Sequence, residues 1–175
     1  MSDQVTLFGT VTDAGKKPLF MIRVVVVQAG REVQHGFTGE DGRYSLAVPA
    51  AKVSTVDFDT HETLNNARSW HPSLLANIDL VGDANGFVQI DRTLLAVGMG
   101  AGDDNAPDLL AGYLFGLMRA ARTGNRAYAA EAAPRLRMLK IPVPALDRMR
   151  ELLAQAFDEL RDELRVEPAP EPRQT

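Results

Sequence analysis

Apolar and polar residues alternate with a period of two through most of residues 4–97, and recur every three to four positions after residue 105. Those periods separate a strand-built segment from a helical one. Val5 to Val11 is rich in β-branched and aromatic types and runs into the turn chemistry of Asp13 to Pro18. Met21 to Gln28 contains four consecutive valines, which suits a strand covered on both faces. Gln34 to Thr38 and Arg43 to Val48 flank Gly39-Glu40-Asp41-Gly42 and predict a hairpin, with Tyr44, Leu46 and Val48 on one face. Lys52 to Phe58 is a fifth strand, Asp59 to Asn77 a polar insertion, and strands follow at 78–81 and 87–97. Seven short strands at this spacing predict a two-sheet sandwich.

Gly98 to Gly102 predicts a flexible hinge, which ends near Asn105. Asp103 to Asp108 supplies the capping residues, early proline and acidic first turn of a helix. From Asp108 to Arg122 the stripe is Leu110, Tyr113, Leu114, Leu117 and Met118, with Gly124 as the stop. Gly112, Gly116 and Ala120 form a small-residue face, suited to close packing inside the chain or to a dimer seam. A weaker helix spans 126–139 and is interrupted or restarted at Pro134. A third begins at Pro144 or Ala145 and runs to about Val166, with Leu146, Met149, Leu153, Ala156, Leu160 and Leu164 in its stripe and Leu152 and Phe157 widening it. Residues 167–175 are a proline-rich tail.

The run Gly9-Thr10-Val11-Thr12-Asp13-Ala14-Gly15-Lys16-Lys17-Pro18-Leu19, followed by the valine strand and by Thr38-Gly39-Glu40-Asp41-Gly42-Arg43-Tyr44-Ser45-Leu46, resembles the carboxypeptidase regulatory-like domain pattern. The match covers about 45 residues. The resemblance implies a seven-stranded prealbumin-like (transthyretin-like) β-sandwich over 4–97; with the hinge at 98–105, the helical appendage at 106–166 and the tail at 167–175 read from the residues, the expectation is an α+β chain. The resemblance also implies an accessory, adhesive or scaffold module rather than a catalyst. The 5-hydroxyisourate hydrolases built on a transthyretin-like scaffold carry a histidine in their first strand motif and end in Tyr-Arg-Gly-Ser. This chain has Phe8-Gly9-Thr10 and Pro172-Arg173-Gln174-Thr175 instead.

Composition narrows the function classes. With 23 acidic and 19 basic residues the net charge is −4, which supplies no long-range field for nucleic acid. The absence of cysteine rules out disulfides and thiolate chemistry. The apolar stretches fall short of a membrane span, and the opening residues run straight into a strand, so a cytoplasmic chain is expected, without nucleic-acid or membrane partners.

The candidate chemistry sits in the polar insertion. His61, Glu62 and His71 could hold a divalent ion, although their spacing fits no established ligand motif. Trp70 either anchors the loop or joins Arg68 and His71 in a contact patch. No serine lies in G-x-S-x-G, and no P-loop or calcium loop is complete. The expectation is therefore a non-enzymatic binding or assembly module that needs no cofactor. Leu153, Phe157 and Leu160 of the last helix would contact a protein partner or a second copy, because the glycine-bearing first helix offers too narrow a face to cover them. The alternative is a small metal-binding protein or metal-dependent hydrolase using the His61/His71 loop.

Overall fold

The computed structural model describes residues 3–60 and 69–164. Strand β1 (Gln4–Thr12) turns Val5, Leu7 and Val11 inward and Thr6, Phe8 and Thr10 outward. It pairs antiparallel with β4 (Arg43–Pro49), whose Tyr44, Leu46 and Val48 share the inner face, and parallel with the short strands β7 (Phe87–Gln89) and β8 (Arg92–Thr93). The second sheet has the order β3 (Arg31–Phe37), β2 (Arg23–Gln28), β5 (Ala51–Asp59), β6 (Ser73–Leu80). The two inner faces close on one core that includes Val24, Val26, Val56, Phe58 and Leu80. Val25 points the opposite way and is fully buried as well, so the valine run is covered on both faces. This is the α+β sandwich-then-helices arrangement expected from the sequence.

Three sequence expectations for the sandwich change. Thr38 to Gly42 does not close a hairpin: β3 pairs with β2 and β4 with β1, so the turn is a corner that carries the chain from one sheet to the other. The polar insertion is shorter than 59–77, because β6 begins at Ser73 and positive-φ Asn77 lies within it. The expected 87–97 strand is broken into β7 and β8, where β1 hands its pairing from one to the other around Ile90 and Asp91.

The C-terminal segment forms α1 (Ala106–Thr123), α2 (Arg126–Met138) and α3 (Pro144–Glu163). Gly124 at φ 66° ends α1, and the Asn125 side chain accepts the Tyr128 N–H to start α2. Helix α2 continues through Pro134, which occupies an exposed position. The Gly98–Gly102 region is tied in: Ala101 is buried, and its N–H donates to the Lys140 carbonyl at 2.8 Å. Among the described residues no helix is long and apolar enough to cross a membrane.

The helices build a second core from Leu109, Leu110, Tyr113, Tyr128, Ala132, Ala133, Leu136, Leu153 and Phe157. This corrects the assignment of Leu153, Phe157 and Leu160 to a partner. Leu153 and Phe157 are buried and Leu160 is partly buried against the same cluster. The cover comes from α2, whose alanines let α3 approach closely and whose Tyr128 ring meets Phe157 edge-on at 5.4 Å.

Candidate functional site

The outer face of the second sheet carries polar groups beside buried Val25 and Leu74. Asp57 and Asp59 follow from strand alternation, since Val56 and Phe58 point into the sandwich core. Both carboxylates are buried. Asp59 accepts from Arg119 of α1 at 2.8 Å and lies 3.8 Å from Arg23, which also binds Glu32 at 3.2 Å. Arg92 donates to Ser73 at 2.8 Å and to Asp108, in the first turn of α1, at 2.6 Å. Charged groups of both signs thus fasten α1 to β5, β6 and β8.

His71, just before β6, completes this layer. It is fully buried, its Nδ1 lies 2.6 Å from the Tyr113 hydroxyl, and the two rings meet edge-to-face. Burial, with the nearby Arg135 charge, pulls its pKa down to about 4, so the ring is neutral at pH 7. Its Nε2 is enclosed without a hydrogen-bond partner. Burial also pushes the Tyr113 hydroxyl well above its ordinary value; at Tyr128 the carboxylate of Asp59 adds to the same upward push. Asp57, Asp59, His71, Tyr113 and Tyr128 are all buried, and the arrangement locks helices to sheet.

This geometry reassigns the insertion residues. His71 is removed from any surface contact patch, and its Nδ1 is engaged by Tyr113 rather than free for a metal. Trp70 is half-buried on the sandwich core and bridges Ala96 by its backbone, which is the anchoring role. His61, Glu62 and Arg68 lie outside the described residues. Among the described residues no group of three His, Cys, Asp or Glu could hold a metal ion.

Among the described residues two open apolar surfaces stand out. On the sandwich, Phe8, Phe37 and Phe87 line a depression of about 580 Å³ on the outer face of the first sheet, with Phe8 and Phe87 edge-to-face at 6.1 Å. The helical layer carries a groove of about 520 Å³ between α1 and α3. Pro107, Ala111, Leu114 and Leu117 form one wall, and Leu146, Met149, Leu152 and Ala156 the other. Leu114, Met149 and Leu152 are 47–48% exposed. All three stood in the sequence stripes, yet their exposure was invisible there, because it depends on α2 taking the opposite side of α3.

No family model matches the chain, and no curated protein matches it either. Several solved structures are similar to part of it. A 5-hydroxyisourate hydrolase from Klebsiella pneumoniae is 13% identical at a TM-score of 0.40, over 53% of this chain and 90% of its own. A DUF3823-family protein from Parabacteroides merdae is 14% identical at 0.38, over 55% of this chain and 48% of its own. The shaft pilin of Lactobacillus rhamnosus GG is 15% identical at 0.36, over 55% and 52%. The chain therefore spans about half the length of the last two, and what it is similar to covers little more than half of itself.

Proposed function

We propose that the chain is a carboxypeptidase regulatory-like sandwich serving as a non-enzymatic binding or assembly module, and that it engages protein through the groove between α1 and α3. The observation that carries this reading is the composition of the groove: its walls are leucine, methionine, alanine and proline, and three large side chains stay about half in water. Leaving such residues exposed forgoes roughly 1.5–3 kcal/mol for each one fully buried, and contiguous apolar surface of this kind marks interaction sites. The polar groups, by contrast, are spent on fastening the helices, which makes the groove a rigid feature of the whole molecule rather than of a loose appendage.

A photo-crosslinking side chain placed at Leu114 or Leu152 in the producing cells tests this. Capture of a defined protein, a second copy included, is expected there and not from Val53, an exposed residue on the sandwich. Equal capture at all three positions, or none at Leu114 and Leu152, would overturn the reading.

A further inference from the structure

The two helices that form the groove carry exposed charges in a pattern of their own. On α1, Pro107, Ala111, Leu114, Met118 and Arg122 are spaced 4, 3, 4 and 4 residues apart and form one stripe with a basic end, and Asp104 in the turn just ahead of the helix gives it an acidic start. On α3, Arg148, Leu152, Gln155 and Glu159 form a stripe of the opposite sense, basic first and acidic last. Asp104, Arg122, Arg148 and Glu159 are all exposed, and none of the four enters an ion pair among the described residues. Elsewhere on the same helical layer Arg137, Arg150 and Arg161 each have a carboxylate partner.

A partner of single sign would meet one repelling end on each stripe. A second copy, turned by 180° about an axis across the helices, lays α1 on α1 and α3 on α3 in antiparallel pairs. Asp104 then faces Arg122, and Arg148 faces Glu159, with Leu114 and Leu152 near the axis. Such self-complementarity is what an isologous two-fold interface requires, and antiparallel helices also oppose their dipoles favourably.

The area is adequate. Helices of 18 and 20 residues are about 27 and 30 Å long at about 1.5 Å per residue. Side by side they present a face roughly 20 Å wide, about 540 Å² in projection. Two such faces remove on the order of 1,000 Å² from water, the size at which specific interfaces begin. From the groove, the charge pattern and this area we infer that the occupant of the α1/α3 groove is a second copy of this chain, in a two-fold antiparallel helix pairing. The inference rests on the groove being a protein-docking surface.

Sedimentation velocity of the full chain over the micromolar range should show a dimer of the 19.1 kDa protomer. Leu114→Glu with Leu152→Glu should weaken it on the order of 100-fold, with the far-UV spectrum unchanged because both side chains are already half in water. Arg148→Glu and Glu159→Arg should each weaken it by roughly 3- to 10-fold, and the two together in one chain should restore it. The chain has no cysteine, so a single Leu152→Cys should give a disulfide-linked dimer under mild oxidation, whereas Val53→Cys should not. A monomeric wild type, a dimer untouched by the leucine changes, or a double charge reversal weaker than either single one would each overturn the inference. A monomer that still crosslinks another protein from Leu114 or Leu152 would sink the two-fold pairing alone. Failure of both crosslinks would sink the docking surface with it.

Discussion

His71 shows how one residue can tie acid stability to the sheet–helix junction. Its pKa lies at about 4 in the folded chain against an ordinary 6.5. Above pH 6.5 both the folded and unfolded states hold the neutral ring, and its contribution to stability is fully present. As pH falls from 6.5 to 4 the unfolded chain takes up the proton and the folded one does not, so stability declines; below pH 4 the effect levels off. At about 1.36 kcal/mol per pKa unit this is on the order of 3 kcal/mol. Urea unfolding at stepped pH should show that slope, and His71→Phe should flatten it relative to the wild type. Gly116 acts at the same scale. A Cβ there would overlap the Tyr128 hydroxyl, and that ring is held against Phe157. Gly116→Ala should therefore destabilise by roughly 1–3 kcal/mol, despite the better helix propensity of alanine. An unchanged urea midpoint would show that Tyr128 can yield.

Among the elements, the corner at Thr38–Gly42 matters most to the sandwich. Gly42 has φ 74°, and a Cβ there would stand 2.6 Å from the Val11 carbonyl oxygen and 3.0 Å from Pro18 Cβ. Gly42→Val should cost about 2–4 kcal/mol, combining left-handed strain with collision against the β1 end. A simple two-strand hairpin would involve only the strain. Comparing Gly42→Ala with Gly42→Asn in thermal melts separates the two, since both carry the colliding Cβ and asparagine tolerates the left-handed conformation. Helix α2 is the less conspicuous counterpart. Its sequence is the least amphipathic of the three, yet its small alanine face covers Leu153 and Phe157 and thereby decides which side of α3 is left open.

For the molecule as a whole, sandwich and helices have separate apolar cores joined by a polar seam. Asp59 is central to that seam. Asp59→Asn leaves Arg119 and Arg23 facing a neutral group in a buried site and should cost on the order of 3 kcal/mol. Arg119→Met together with Asp59→Leu should recover part of that loss, because breaking a buried pair is worse than replacing it. Chemical denaturation of Arg119→Met, Asp59→Leu and the double variant gives the answer; a double loss equal to the sum of the two single losses would mean that the pair does not couple. Residues 1–100 contain a complete sandwich core, so that fragment should retain strand signal and a cooperative melt, at a lower temperature than the full chain because Asp57 and Asp59 lose their cover. A non-cooperative fragment would make the helices part of the sandwich's folding unit.

Neighbouring residues alone were enough to set β1, β2, β4, α1 and α3 and the inward faces of those strands. The alternation through β1 and β4, the four-valine β2 and the capped, periodic helices are local patterns, and local patterns are written in neighbouring residues. The proline inside α2 misled for the same reason: a local rule disfavours it, while an exposed position in a packed helix tolerates it. The tertiary structure alone decided the partners. It made a hairpin signal into a corner between sheets, brought His71 from an insertion into contact with a tyrosine 42 residues away, and set Asp59 against Arg119 at a separation of 60. It also buried Leu153 and Phe157 while leaving Leu114 and Leu152 in water, although all four lie in amphipathic stripes. Periodicity tells which side of a helix is apolar. Which part of that side is already covered depends on where the other elements pack, and on nothing within the helix itself.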